Sequence, residues 1–183
     1  MQKLLGLFFI FFILIGCSKK YYVLSTASEP SGHYTLSSKV IGVEKVMVPK
    51  YLFKREIAVL KSSSQIEFLS NAVWAENLED GLTQRLIGFL QKKFQNPNIH
   101  AYPWGVEKQP TSKVRVVITR FVAQGEYIYL NASWDVFNFK LGTSKARLFS
   151  TTMPLEDKST DAIVSAMNKA FGKLEEAVAE GLK

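Results

Sequence analysis

The chain has 183 residues, 47% hydrophobic and 21% charged, with 23 Lys and Arg against 16 Asp and Glu for a formal charge of +7. That length suits one domain, and the composition is too apolar for disorder and too poor in Gly and Pro for a fibrous chain. A single cysteine excludes an intrachain disulfide framework and a cysteine-cluster metal site.

The apolar residues are concentrated at the start. Lys3 precedes a hydrophobic run of 12 residues from Leu4 to Ile15, broken only by Gly6. A bilayer-spanning helix needs roughly 20 apolar residues. This run is too short, and Cys17, Ser18, Lys19 and Lys20 follow at once, so residues 1–16 read as a secretory signal peptide. Leu14-Ile15-Gly16-Cys17 resembles the bacterial lipobox. A small residue before the cysteine lets a peptidase reach the bond, and the Cys17 thiol is the nucleophile that accepts diacylglycerol. Each buried CH₂ contributes about 0.8 kcal/mol, so two or three acyl chains anchor a protein stably. Cys17 is therefore the expected lipidation site. Ser18 lacks the Asp that favours inner-membrane retention in enteric bacteria, which points to the outer membrane. The export signal excludes nucleic acid as a partner, despite the basic charge.

Residues 17–183 are expected to form a single periplasm-facing domain. A short strand is predicted at Tyr21–Ser25. Residues 26–38 are rich in Ser, Thr, Gly and Pro and read as a flexible linker or long loop. Val40–Val48 is β-branched and ends at Pro49, which cannot donate to a ladder. Arg55–Leu60 and Gln65–Leu69 flank Ser62-Ser63-Ser64, a hairpin pattern. A helix is predicted over Leu78–Phe94, with Leu78, Leu82, Leu86, Phe89, Leu90 and Phe94 on one face. Asn77 is its expected N-cap, with Glu79 and Asp80 against the positive end of the dipole. Asn96-Pro97 should stop it. Strands follow at Ile99–Tyr102, Lys113–Gln124, Tyr127–Phe139 and Ala146–Met153. A last helix over Asp161–Leu182 can be capped by Ser159 or Thr160 and turns Ile163, Met167, Ala170, Phe171, Leu174 and Val178 to one side. This order predicts an α+β domain, two main helices packed on one mostly antiparallel sheet.

Catalytic motifs are missing. His33 and His100 have no metal-ligand spacing, and there is no nucleophile elbow, phosphate loop or dinucleotide fingerprint. No cofactor, metal or catalytic residue is predicted, and the chain is not expected to be an enzyme. Glu76, Glu79 and Asp80 cluster where helix capping and dipole chemistry place acids. Alternation along Tyr127–Phe139 puts Tyr127, Tyr129, Asn131, Ser133 and Asp135 on one face and Ile128, Leu130, Ala132, Trp134 and Val136 on the other. Asp135 should face solvent or pair with a cross-strand Arg or Lys. Tyr127, Tyr129, Asn131 and Asp135 are the interaction candidates, since tyrosines bury area at little entropic cost. The same face could instead pack on a helix or loop. Basic residues, among them Lys45, Lys50, Arg55, Lys108, Arg115 and Arg120, are dispersed. They suit a solvated surface, or attraction to anionic headgroups or an acidic partner.

One long stretch is recognisable. Val46-Met47-Val48-Pro49-Lys50-Tyr51-Leu52-Phe53-Lys54-Arg55-Glu56-Ile57-Ala58-Val59 is followed by Val73-Trp74-Ala75-Glu76-Asn77-Leu78. Together with Tyr21-Tyr22-Val23-Leu24 and Ala132-Ser133-Trp134, it resembles the ABC-type transport auxiliary lipoprotein family (PqiC-like outer-membrane lipoproteins of MCE-type lipid transport systems). The family usually has Pro where this chain has Asn77, and either residue can start a helix. Pro49, Tyr51, Leu52, Trp74, Glu76 and Leu78 form the fold motif. Tyr51 and Leu52 are expected in the core, with Trp74 closing the end of the sheet. The resemblance implies a domain like the N-terminal domain of TolB-like proteins and a non-enzymatic subunit anchored at the outer membrane. It further implies docking on an MCE-domain protein of an ABC transport system that moves lipids between the membranes, and assembly as a homo-oligomer. The alternative reading is an envelope lipoprotein that itself binds lipid or lipopolysaccharide as a chaperone.

Overall fold

The computed structural model describes residues 19–24, 26–36, 39–105 and 109–183. The signal peptide, Cys17, Ser25 and Lys108 lie outside the described residues.

A long central strand organises the sheet. β6 (Ser112–Gln124) carries Val114, Val116 and Ile118 at alternate positions and buries all three. A tight turn at Gly125, whose positive φ a side chain would strain, returns the chain as β7 (Tyr127–Asn138). β7 pairs antiparallel with β6 along its whole length, and β8 (Thr143–Pro154) pairs antiparallel with β7.

The other side of β6 is shared. β2 (Ile41–Glu44) runs parallel to residues 112–114, and β3 (Glu56–Leu60) runs parallel to Ala123 and Gln124. Between them only Met47 bridges to Val117, and a 3₁₀ turn, Lys50–Phe53, carries the chain outward. The expected Val40–Val48 strand is therefore shorter, because the chain leaves the ladder at Lys45 before Pro49. β4 (Ile66–Trp74) completes the expected hairpin with β3 and runs on to Trp74. β1 (Lys20–Tyr22) lies parallel to the end of β4, and β5 (Ile99–Tyr102) parallel to β2. The long ladders are antiparallel and the short ones parallel, so the fold is the expected α+β type with a mixed periphery.

Both helices bury their predicted faces. In α1 (Leu78–Phe94) the six residues of the apolar stripe are all buried. In α2 (Thr160–Leu182) Ile163, Met167, Ala170, Phe171, Leu174 and Val178 are buried, and Phe171 meets Phe121 of β6 at 6.4 Å between ring centroids. Each such side chain contributes roughly 1.5–3 kcal/mol by leaving water. Ser159 caps α2 by accepting from the Ala162 N–H at 3.1 Å. Asn77 holds the N-cap position of α1 without a side-chain cap. Its Nδ2 donates instead to Asp80 at 3.3 Å. At the other end Gln95 adopts the left-handed conformation, and Asn96 donates to Leu36 and Lys39 carbonyls, both at 2.8 Å. The α1 stop is thus a left-handed C-cap anchored by a buried Asn.

Described residues 26–36 carry no helix or strand, as the long-loop reading expects. They run as a strap across the two helices, with Tyr34 N–H donating to the Lys93 carbonyl at 2.7 Å and Leu36 N–H to the Phe94 carbonyl at 3.2 Å. Ser and Gly residues look like loop chemistry in the sequence. Here the Ser side chains also bond the helices.

Candidate docking surface

The β6–β7–β8 ladder sets the predicted tyrosine face. Directly paired residues share a face, so Tyr127, Tyr129, Asn131, Ser133 and Asp135 line up beside Gln124 and Arg115 of β6 and Ser150 and Leu148 of β8. Tyr127 is 44% exposed, and Tyr129, Asn131 and Asp135 are half-buried. Helix α2 covers the opposite face, where Ile128, Leu130, Ala132, Trp134 and Val136 are buried. Asp135 accepts from Arg115 Nε at 2.8 Å, which holds the exposed guanidinium above its ordinary pKa. The Arg120 guanidinium lies 4.1 Å from the Tyr129 ring centroid, and Tyr127 and Tyr129 meet edge to face at 6.4 Å. Asn131 Oδ1 accepts from Ser150 Oγ at 2.8 Å. The face is an aromatic and cationic surface.

The fold motif lies on the other side of β6. Pro49 precedes the 3₁₀ turn, Leu52 is buried beneath it and Tyr51 is half-buried. In the gap between Met47 and β3, the Phe121 N–H donates to Tyr51 Oη at 3.2 Å. A buried backbone donor needs such a partner. Burial raises the Tyr51 pKa, partly countered by that N–H and by Arg120. Trp74 is buried, and its indole N–H has no acceptor among the described residues. Arg55 donates to the Trp74 carbonyl through Nε and Nη2, both at 3.2 Å, and to the Ala75 carbonyl at 3.1 Å. Glu76 is exposed and folds over the first turn of α1, where a Cβ at Gly81 would come within 2.9 Å of its carboxylate. Leu78 is buried. Lys45 pairs with Glu79 and with Asp80, the latter at 2.9 Å, and the cation holds Asp80 below its ordinary pKa. These residues assemble the junction of turn, strand and helix.

A third cluster was not foreseen. Arg85 of α1 is 2% exposed and donates to both carboxylate oxygens of Glu175 of α2, each at 3.1 Å. Its Nη2 also reaches Ser28 of the strap at 2.8 Å and the Asn168 carbonyl at 3.0 Å. About two turns on, buried Lys93 donates to Glu176 at 2.7 Å and to Ser31 at 3.1 Å, while the Ser31 N–H donates to Glu176 at 2.7 Å. Burial pushes the Glu175 carboxyl up despite Arg85. Burial also acts to raise Glu176, but Lys93 and Ser31 outweigh it and hold that carboxyl below its ordinary 4.5. The sequence did hold a signal. Arg85 sits three residues after Leu82 and four before Phe89, and Glu175 four after Phe171 and three before Val178. Each interrupts an apolar stripe with one charge, and the two charges are opposite.

Among the described residues, no group of three His, Cys, Asp or Glu is placed to hold a metal, and no helix is long and apolar enough to cross a membrane. His33 is exposed, with Nδ1 3.0 Å from the Lys92 carbonyl.

These motifs and this fold define an auxiliary lipoprotein of the transport kind. The sequence profile of the ABC-type transport auxiliary lipoprotein component matches residues 22–179, and the chain belongs to that family. Two crystal structures share the fold. One, of an uncharacterized protein, is 20% identical with a TM-score of 0.73 and covers 91% of this chain and 99% of its own. The other, a Xanthomonas campestris protein of the DUF330 family, is 13% identical with a TM-score of 0.72 and covers 87% of this chain and 92% of its own. No curated protein matches the chain.

Proposed function

We propose that the chain is the lipid-anchored docking subunit of an ABC transport system whose periplasmic partner is an MCE-domain protein. Cys17 would carry the acyl chains and hold the domain at the periplasmic side of the outer membrane, where it positions the end of the transporter and catalyses nothing itself. The observation that carries this reading is the Leu14-Ile15-Gly16-Cys17 motif directly ahead of a domain that belongs to the transport auxiliary lipoproteins. The face bearing Tyr127, Tyr129, Asn131 and Asp135 supports it, because partly exposed tyrosines beside arginines are the residue types that protein interfaces favour. Assembly as a homo-oligomer around the transporter end belongs to the same proposal.

The decisive experiment is co-purification from membranes in gentle detergent. The MCE protein should elute with this chain, and its absence would count against the docking role. Cys17→Ala should release the protein into the periplasm. Continued sedimentation of that variant with the outer membrane would remove the anchor from the account.

A second reading, lipid binding by the chain itself, is favoured by one feature. An open groove of about 840 Å³ lies between strap and helices, with Ala27, Phe89 and Met153 among its lining residues. Native mass spectrometry would find co-purified lipid if the groove carries cargo.

A further inference from the structure

We propose that the outer edge of β8 receives an acidic, extended polypeptide strand from another protein. The inference extends the docking reading and stands on the geometry of β8 itself. β8 pairs with β7 over twelve residue pairs, and among the described residues no strand pairs with its other side. An uncovered edge of that length presents a row of free backbone donors and acceptors, which is a template for strand addition. Every residue from Thr143 to Leu148 is exposed, so neither face of this half of β8 is covered. Leu148 is 90% exposed, and Leu141 and Phe139 nearby are 68% and 39% exposed.

The charge pattern selects the partner. Residues 139–155 contain Lys140, Lys145 and Arg147 and no acid. Lys145 and Arg147 lie opposite Val136 and Trp134, hence on the helix side of the sheet. With Lys39 and Lys183 they line a groove of about 600 Å³ between β8 and the end of α2, and none of its described lining residues is acidic. Lys39 is spent on the Leu182 carbonyl at 3.0 Å and Lys183 on Glu180 at 2.6 Å. Among the described residues Lys145 has no partner, and Arg147 reaches only the Ala146 carbonyl.

A strand laid along β8 would alternate its side chains between Leu148 on one face and the two free cations on the other. An acidic strand fits both. A second copy of this chain does not: β8 against β8 would bring Lys145 and Arg147 to their own images, and the strands at the other ends of the sheet, β1 (Lys20–Tyr22) and β5 (Ile99–Tyr102), carry no acid to meet them. Edge cations blunt self-association, and the same cations attract an acidic chain. An anionic headgroup would use the cations and leave the backbone edge idle.

The test uses the full-length protein in nonionic detergent and a synthetic peptide alternating Glu and Val, with a Lys-and-Val peptide as control. Fluorescence anisotropy should show binding of the acidic peptide alone. Hydrogen exchange should slow across residues 143–150. Lys145→Gln with Arg147→Gln should weaken binding at least about tenfold with an unchanged circular dichroism spectrum. Binding without slowed exchange would overturn the strand-addition geometry. Equal binding by the double variant would overturn the charge selection. Binding only to phosphatidylglycerol vesicles would assign the surface to a membrane, and self-association lost in the double variant would assign it to a second copy. Either overturns the proposal. The docking reading would still be judged by co-purification with the MCE protein.

Discussion

Arg85 and Lys93, at the junction of α1, α2 and the strap, are almost wholly buried, and each meets a carboxylate: Glu175 for Arg85 and Glu176 for Lys93. Lys145 and Arg147, along β8, stand in solvent and meet no carboxylate among the described residues. The contrast separates charges that are paired inside the fold from charges that it leaves free. A buried charge without a partner costs several kcal/mol, so the first pair cannot be altered singly without loss of stability. The second pair adds little to folding, and its use must be sought outside the domain.

The strongest way to break this contrast is Arg85→Ala. It leaves Glu175 buried and ionisable beside Ser28 alone, and should cost about 3–5 kcal/mol in urea unfolding followed by circular dichroism. Removing both charges, as Arg85→Met with Glu175→Leu, should recover much of that loss, because a buried ion pair is weak evidence of net stabilisation. A loss below about 1 kcal/mol for Arg85→Ala would mean that water reaches the junction and that the two regions are alike.

Gly181→Ala probes the seating of α2 on the sheet. A Cβ at that position would lie 2.4 Å from Trp134 Cζ3 and 3.2 Å from Val136 Cγ2. Overpacking of this kind should cost about 1–3 kcal/mol. The α2 end would have to move away from β7, and hydrogen exchange should rise in residues 174–182.

Glu176→Gln sharpens the comparison through pH. The folded carboxyl titrates below 4.5, so its contribution is present above the unfolded value and is lost as pH falls through the lower folded one. The variant should be less stable than the natural chain by about 1–2 kcal/mol at neutral pH. The two urea midpoints should converge as the pH drops below 4.5. Glu175 runs the other way. Its raised value makes ionisation unfavourable to folding, so its contribution diminishes as pH rises from 4.5 through the folded value. A gap between Glu176→Gln and the natural chain that does not close in acid would show that Lys93 does not hold Glu176.

Much of the architecture was legible because it follows periodicity. The α1 stripe of Leu78, Leu82, Leu86, Phe89, Leu90 and Phe94 marks a helix with one buried face, and strict alternation over Tyr127–Val136 marks a sheet with two unlike faces. The parallel pairings of β2 and β3 along β6 were not legible, since no local pattern says which strand lies beside a distant one. Strap and helix junction escaped for a related reason. Ser28 and Ser31 look like loop residues until Arg85, Lys93, Glu175 and Glu176 are brought to them from positions 57 to 147 residues away. Of the candidate surface, the tyrosine face was readable by alternation. The bareness of β8 was not, because only the assembled sheet shows which strand ends with an unpaired edge.

Leucine gives the finest test, because the same residue type occupies both kinds of position on adjacent strands. Leu130 of β7 is fully buried under α2, while Leu148 of β8 is 90% exposed. Leu130→Ala should cost about 2–5 kcal/mol by removing packed methyl groups and leaving a cavity. Leu148→Ala removes the same atoms where water already surrounds them, and should change the free energy of urea unfolding by no more than about 0.5 kcal/mol. If Leu148 serves a partner strand, the alanine variant should be as stable as the natural chain yet bind the Glu-Val peptide more weakly. A variant that loses stability as Leu130→Ala does would place Leu148 in the core and close the edge. One that keeps both stability and peptide affinity would leave the cations alone to hold the strand.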